Sequence, residues 1–150
     1  MDIESLLRLL KENKVRFVII GATAFPVYGY GRATLGTDIF IEPTKTNAAR
    51  CLKALAKFGY DISDITIEEL LSKKILIRQC LVETDIHPFV TGIKFKEVWK
   101  NKVKAELEGV VVYFASLEDL IKMKKAVKRQ KDKEDLKILL ELKKRRTAKS

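Results

Sequence analysis

Apolar positions recur at helical spacing from the first residues: Ile3, Leu6, Leu7 and Leu10 follow Asp2, a good N-cap, and predict an amphipathic helix that ends near Asn13. The period then changes. Residues 15–20 are β-branched and aromatic enough for a buried strand, and Gly21 ends it at a tight turn. Residues 22–28 read as a short helix with Pro26 in its first turn, and Gly29 and Gly31 mark a loop. A second strand is predicted over 37–42 and is stopped by Pro43. A helix over 44–58 turns Ala48, Leu52 and Leu55 inward and stops at Gly59.

Thr66 and Glu69 have the spacing of a capping box for a short helix through Leu71. The run KKILIRQCLVETDIHPFV reads as two strands or one bent strand closed by Pro88. Alternation along its second half puts Glu83, Asp85 and His87 on one face. A short amphipathic piece over 95–99 precedes two strand-like runs, 103–107 and 110–114. Ser116 caps a helix with Asp119 at the third position, and a last helix from Lys131 is expected to bury Leu136, Leu139 and Leu140. The end, 143–150, is expected to be frayed. Strands mixed with helices predict an α/β (α+β) fold: a small, partly antiparallel sheet flanked by helices, with helices at the C-terminal end.

Composition narrows the class. With 150 residues, 47% hydrophobic and 33% charged, the chain is expected to be one domain, 1–150, with a core sufficient without disulfides. Neither a signal peptide nor a membrane-length apolar run is present, so a cytoplasmic location is expected. Two cysteines, Cys51 and Cys80, and one histidine do not furnish a four-ligand zinc site, and the thiols read as free and buried. The net charge of +10, much of it between Lys122 and Lys149, suits either a solvated helix face or a polyanionic ligand such as nucleotide or RNA.

The stretch from Val18 to Pro43 carries the chemistry. A strand, a glycine turn, a short helix and a strand bearing Asp38 bring the turn beside the carboxylate. Such a turn lets backbone N–H groups approach phosphates, and neighbouring carboxylates favour magnesium. Gly21-Ala22, thirteen further residues and then Gly36-Thr37-Asp38-Ile39 resemble the signature of the DNA polymerase β-type nucleotidyltransferase superfamily. The run Tyr28-Gly29-Tyr30-Gly31-Arg32-Ala33-Thr34 is similar to a motif of the branch of AbiEii-type toxins of toxin-antitoxin systems, with tyrosine in place of histidine. Asp85 matches the third carboxylate. Ser116 to Leu136 is similar to the C-terminal motif, with Lys124, Arg129, Lys131, Asp132 and Asp135 on its recurrent positions.

The resemblance implies transfer of a nucleotidyl group from a nucleoside triphosphate to a hydroxyl acceptor. Asp38 and Asp85 would hold magnesium, as part of a two-ion site, and act in catalysis with Lys124. Gly21, Ala22, Thr23, Arg32, Thr34, Lys131 and Asp132 would bind nucleotide. RNA, including a tRNA end, or a protein side chain is the implied acceptor, and an antitoxin the implied protein partner. Ala22 replaces the usual Gly or Ser. Gly36 stands where the superfamily carries its first carboxylate, which weakens the metal pair. Compensation by Glu83, loss of catalysis with retained binding, and a silencing substitution all remain open at this point. A binding module of the same fold, without turnover, is the alternative reading, and a purely structural partner-binding subunit is a third. No Gly-x-Ser-x-Gly elbow supports a Ser-His-Asp role for His87; the glycines fit no dinucleotide fingerprint, and a Walker loop is absent.

Overall fold

A computed structural model describes residues 2–31, 36–79 and 82–148. The predicted helices form as α1 (Ile3–Glu12), α2 (Lys45–Phe58), α3 (Ile67–Ser72), α4 (Phe95–Asn101), α5 (Leu117–Ala126) and α6 (Gln130–Ala148). The strands are β1 (Phe17–Ile20), β2 (Gly36–Ile41), β3 (Ile75–Ile77), β4 (Glu83–His87), β5 (Val103–Leu107) and β6 (Val110–Phe114). Among the described residues they make a six-stranded mixed sheet in the order β3-β4-β2-β1-β6-β5.

Local chemistry accounts for the boundaries. The Asp2 carboxylate accepts from the Ser5 N–H at 2.8 Å, and Thr66 and Ser116 accept from the N–H groups of Glu69 and Asp119, both at 3.1 Å. Each cap satisfies a donor the helix cannot and contributes about 1 kcal/mol. The run with two possible readings is two strands, β3 and β4, paired antiparallel. The segment after Gly21 is a 3-10 helix, Gly21–Tyr28, containing Pro26.

Two expectations are corrected. Leu140 is 42% exposed and Leu136 only partly buried, whereas α6 buries Leu139, as expected, and Leu142, three positions on along the same helix face. The basic end does not fray at 143: α6 runs to Ala148, with Lys143 on Glu118 at 3.2 Å and Arg145 on Glu141 at 3.5 Å.

One face of the sheet carries α1 and α2, whose Leu6, Leu7, Leu10, Ala48 and Leu55 are buried, each leucine contributing about 2 kcal/mol. Just beyond α2, the Tyr60 hydroxyl meets Thr84 Oγ1 at 2.9 Å, which marks the Thr84 face of β4 as this side. Buried Asn47 locks the start of β1 to the end of β2, accepting from Arg16 N–H at 2.7 Å and donating to the Arg16 and Glu42 carbonyls at 2.9 and 3.0 Å. On the opposite face α4 sets Phe95 edge-on to Phe40, with ring centroids 5.3 Å apart. Cys51 is buried, and burial pushes its thiol up to about 12. Cys80 lies outside the described residues. No helix among the described residues is long and apolar enough to cross a membrane.

Candidate active site

β2 and β4 are parallel neighbours, in a register that pairs Gly36 with Glu83, Asp38 with Asp85 and Phe40 with His87. Side chains of in-register partners share a face, so the two carboxylates stand side by side on strands about 4.8 Å apart. β1 runs antiparallel to β2 with Ile20 beside Asp38, so the turn at Gly21 begins where the carboxylates lie. Gly21 has φ +69°, a left-handed conformation in which a side chain is strained, and a Cβ there would come 2.9 Å from Asp38 Oδ2. Only glycine lets the turn come this close to the carboxylate. The turn and the carboxylate meet as the sequence pattern implies.

A cleft of about 500 Å³ opens over this end of the sheet. Gly21, Ala22, Asp38, Asp85 and His87 line its floor, and Lys124, Arg129, Lys131 and Asp132 of the C-terminal helical region close over it. Lys74, which the sequence pattern does not single out, also lines it. Among the described residues neither Lys74 nor Lys131, both exposed, forms an ion pair.

Other expected site residues take different positions. Thr23 is buried, and its hydroxyl donates to the Gly36 carbonyl at 3.1 Å, so it fastens the 3-10 helix to β2. Tyr28, at the histidine position of the resemblance, donates its hydroxyl to the Ala115 carbonyl at 2.5 Å. The Arg146 guanidinium lies 5.4 Å from its ring centre, and burial pushes the phenol up to about 12. Arg32 and Thr34 lie outside the described residues.

Asp132 was expected at the nucleotide, but its carboxylate is wholly buried. It accepts from Lys124 Nζ at 2.9 Å and from Arg129 Nε at 2.7 Å. Lys124 also reaches Asp135 at 3.1 Å. Two buried carboxylates thus face two cations, and the Lys124 ammonium is committed to them. The Arg129 hydrogen bond, with help from Lys124, outweighs burial and holds Asp132 at about 2. A carboxylate lowered in the fold stabilises above its ordinary value near 3.8 and loses that contribution as pH falls toward 2. The shift corresponds to about 2 kcal/mol. The urea-unfolding free energy of the wild type should therefore exceed that of Asp132→Asn at neutral pH, and the gap should narrow only below about pH 4. A gap that stays constant down to about pH 2 would rule this out.

The carboxylates of the floor are also engaged. His87 Nε2 is 3.0 Å from Asp38 Oδ1, a contact the alternation of β4 foreshadows because it sets His87 on the face of Asp85. Arg78, one position past β3, grips Asp85 with Nη1 at 2.5 Å and Nη2 at 3.4 Å. That pairing depends on the β3–β4 register, which the sequence leaves open. Position 36 offers no side chain, and a Cβ there would fall 2.0 Å from the Glu83 carbonyl oxygen, so β4 backbone fills the space. Among the described residues no three His, Cys, Asp or Glu are grouped to hold a metal ion. These residues do not fit the two-ion magnesium pair.

Over residues 1–149 the sequence matches the family described as nucleotidyl transferase of unknown function, DUF2204. The chain belongs to that family. No curated protein matches it. Membership in this nucleotidyl transferase family agrees with the six-stranded mixed sheet and its flanking helices, and it implies a nucleoside triphosphate as substrate.

Proposed function

We propose that the cleft transfers a nucleotidyl group from a nucleoside triphosphate to a hydroxyl acceptor. The observation that carries this reading is the register of Asp38 beside Asp85 at the mouth of the Gly21 turn. The triphosphate would lie along the turn, with Gly21 and Ala22 N–H groups toward its oxygens and Lys74 and Lys131 as the open cations of the cleft. Arg32 and Thr34 would join it from the following loop.

In-line displacement places the acceptor opposite the leaving group. One same-face step along β2 from Asp38, away from Gly21, lies Phe40, in an apolar groove of about 570 Å³ that shares Phe89 and Val90 with the cleft. The acceptor would enter from that side. Its oxygen bonds to the α-phosphorus as the bond to the bridging oxygen breaks, and pyrophosphate leaves with the electron pair. The hydroxyl proton passes to the Asp38–His87 pair, which stands between groove and turn. The likeness to AbiEii-type toxins favours an RNA end or a protein side chain as acceptor and an antitoxin as partner.

Incubation with each labelled nucleoside triphosphate, magnesium or manganese, and cellular RNA or protein should transfer label. Asp38→Asn should reduce transfer by at least about a hundredfold, the scale of lost proton transfer. Undiminished labelling by Asp38→Asn would count against this cleft. A nucleotide-binding module without turnover is the second reading, favoured by Gly36 and by the partners already on both floor carboxylates, Arg78 on Asp85 and His87 on Asp38. It predicts saturable nucleotide binding and no labelled acceptor under any condition.

A further inference from the structure

The carboxylate end of the sheet holds a cation that belongs to no motif. Arg78 continues the face of β3 that carries Leu76, and Leu76 pairs with Asp85, so its side chain lies over the same surface as the carboxylates. Its guanidinium spans two of them: Nη1 and Nη2 on Asp85 at 2.5 and 3.4 Å, and Nε 3.7 Å from Glu83 Oε2. Two carboxylates therefore hold one positive charge, and the position that would complete a metal pair, 36, is closed by Glu83 backbone.

Exposure separates this pair from the ion cluster of the helical region. Arg78 and Asp85 side chains are 47% and 21% exposed, whereas Lys124 meets an Asp132 that is fully buried. An exposed pair separates at little cost, and a buried one does not. A guanidinium grips phosphate with the same two-pronged geometry it uses on carboxylate, and it keeps its charge throughout.

We propose that Arg78, which does not itself line the cleft but is bound to Asp85 of its floor, supplies the site with a cation: it releases Asp85 and binds the phosphate oxygens of the nucleoside triphosphate, in the role for which position 36 provides no ion ligand. The assignment rests on the nucleotidyl-transfer reading of the same cleft. It has a competitor with the opposite sign. If Arg78 merely masks a metal site, its removal frees Asp85 and strengthens metal and nucleotide binding together.

Calorimetric titration separates the two. ATP, GTP, CTP and UTP are each titrated into wild type, Arg78→Lys and Arg78→Ala, in EDTA and with Mn²⁺, after thermal melts establish that the variants are folded. The wild type should bind at least one of these in EDTA. Arg78→Ala should bind it at least about tenfold more weakly, with Arg78→Lys in between because a point charge replaces the fork. Unchanged or tighter binding by Arg78→Ala, or Mn²⁺ fully restoring its affinity, overturns the role of Arg78 and leaves the nucleotidyl-transfer reading intact. Should the wild type bind no nucleotide in either condition, that reading falls, and this one with it.

Discussion

Lys124→Ala should lower the stability of the chain by about 3 kcal/mol, at the lower end of what removing one partner of a buried ion pair costs. The ammonium bridges Asp132 and Asp135, which are 0% and 2% exposed, at 2.9 and 3.1 Å. Arg129 still balances Asp132 in the variant, but Asp135 loses the cation that faces it from α5. For a chain of this length the melting temperature should drop by roughly 6–12 °C. Lys124→Met combined with Asp135→Asn should recover part of the loss, because the carboxylate that lost its lysine is then neutral. A drop of no more than roughly 2 °C for Lys124→Ala would mean that the cluster is not what fastens α5 to α6.

Gly36→Asp is the substitution the sequence invites, since it supplies the carboxylate carried by the superfamily that the motifs resemble. Its expected result is a damaged protein, not a restored site. The Cβ would lie 2.0 Å from the Glu83 carbonyl oxygen and 2.7 Å from its carbon, and backbone in a paired strand cannot rotate away as a side chain would. Relief requires β2 and β4 to part at the end that carries Asp38 and Asp85. We expect about 3 kcal/mol of destabilisation, the upper range for an overpacked site, with a similar loss for Gly36→Ala because the first carbon already collides. Urea unfolding of the two variants checks this. If Gly36→Asp proves as stable as wild type and gains transfer, the close approach of the strands is not a constraint and the site was silenced at this position alone.

Much of this was legible in the chain. Helix starts were readable because Asp2, Thr66 and Ser116 cap through their own side chains, a matter of residues three apart. The meeting of Gly21 with Asp38 followed from a strand, a turn and a returning strand. What one sequence cannot carry is register between strands distant in the chain. Arg78 on Asp85 depends on how β3 slides against β4, and the closure of position 36 on how β2 sits beside β4. Nor does spacing distinguish a lysine that points at a ligand from one that neutralises buried aspartates: Lys124 and Lys131 both occur on expected positions, and only burial of Asp132 and Asp135 tells them apart. Leu140 failed for a similar reason, since α6 rests on α5 along a narrow stripe that a period of 3.6 alone does not locate.

The parallel pairing of β2 with β4 also has a kinetic side. Asp38 and Asp85 become neighbours only after the intervening chain, including α2, α3 and β3, has been looped back, and β1 reaches β6 by a still longer closure. Helices and local turns form early, whereas such distant pairings await the loss of chain entropy their loops demand. The carboxylate pair is therefore a late product of folding. A chain still growing, or one collapsed around its helices alone, holds the Gly21 turn without the partner strand that completes the cleft.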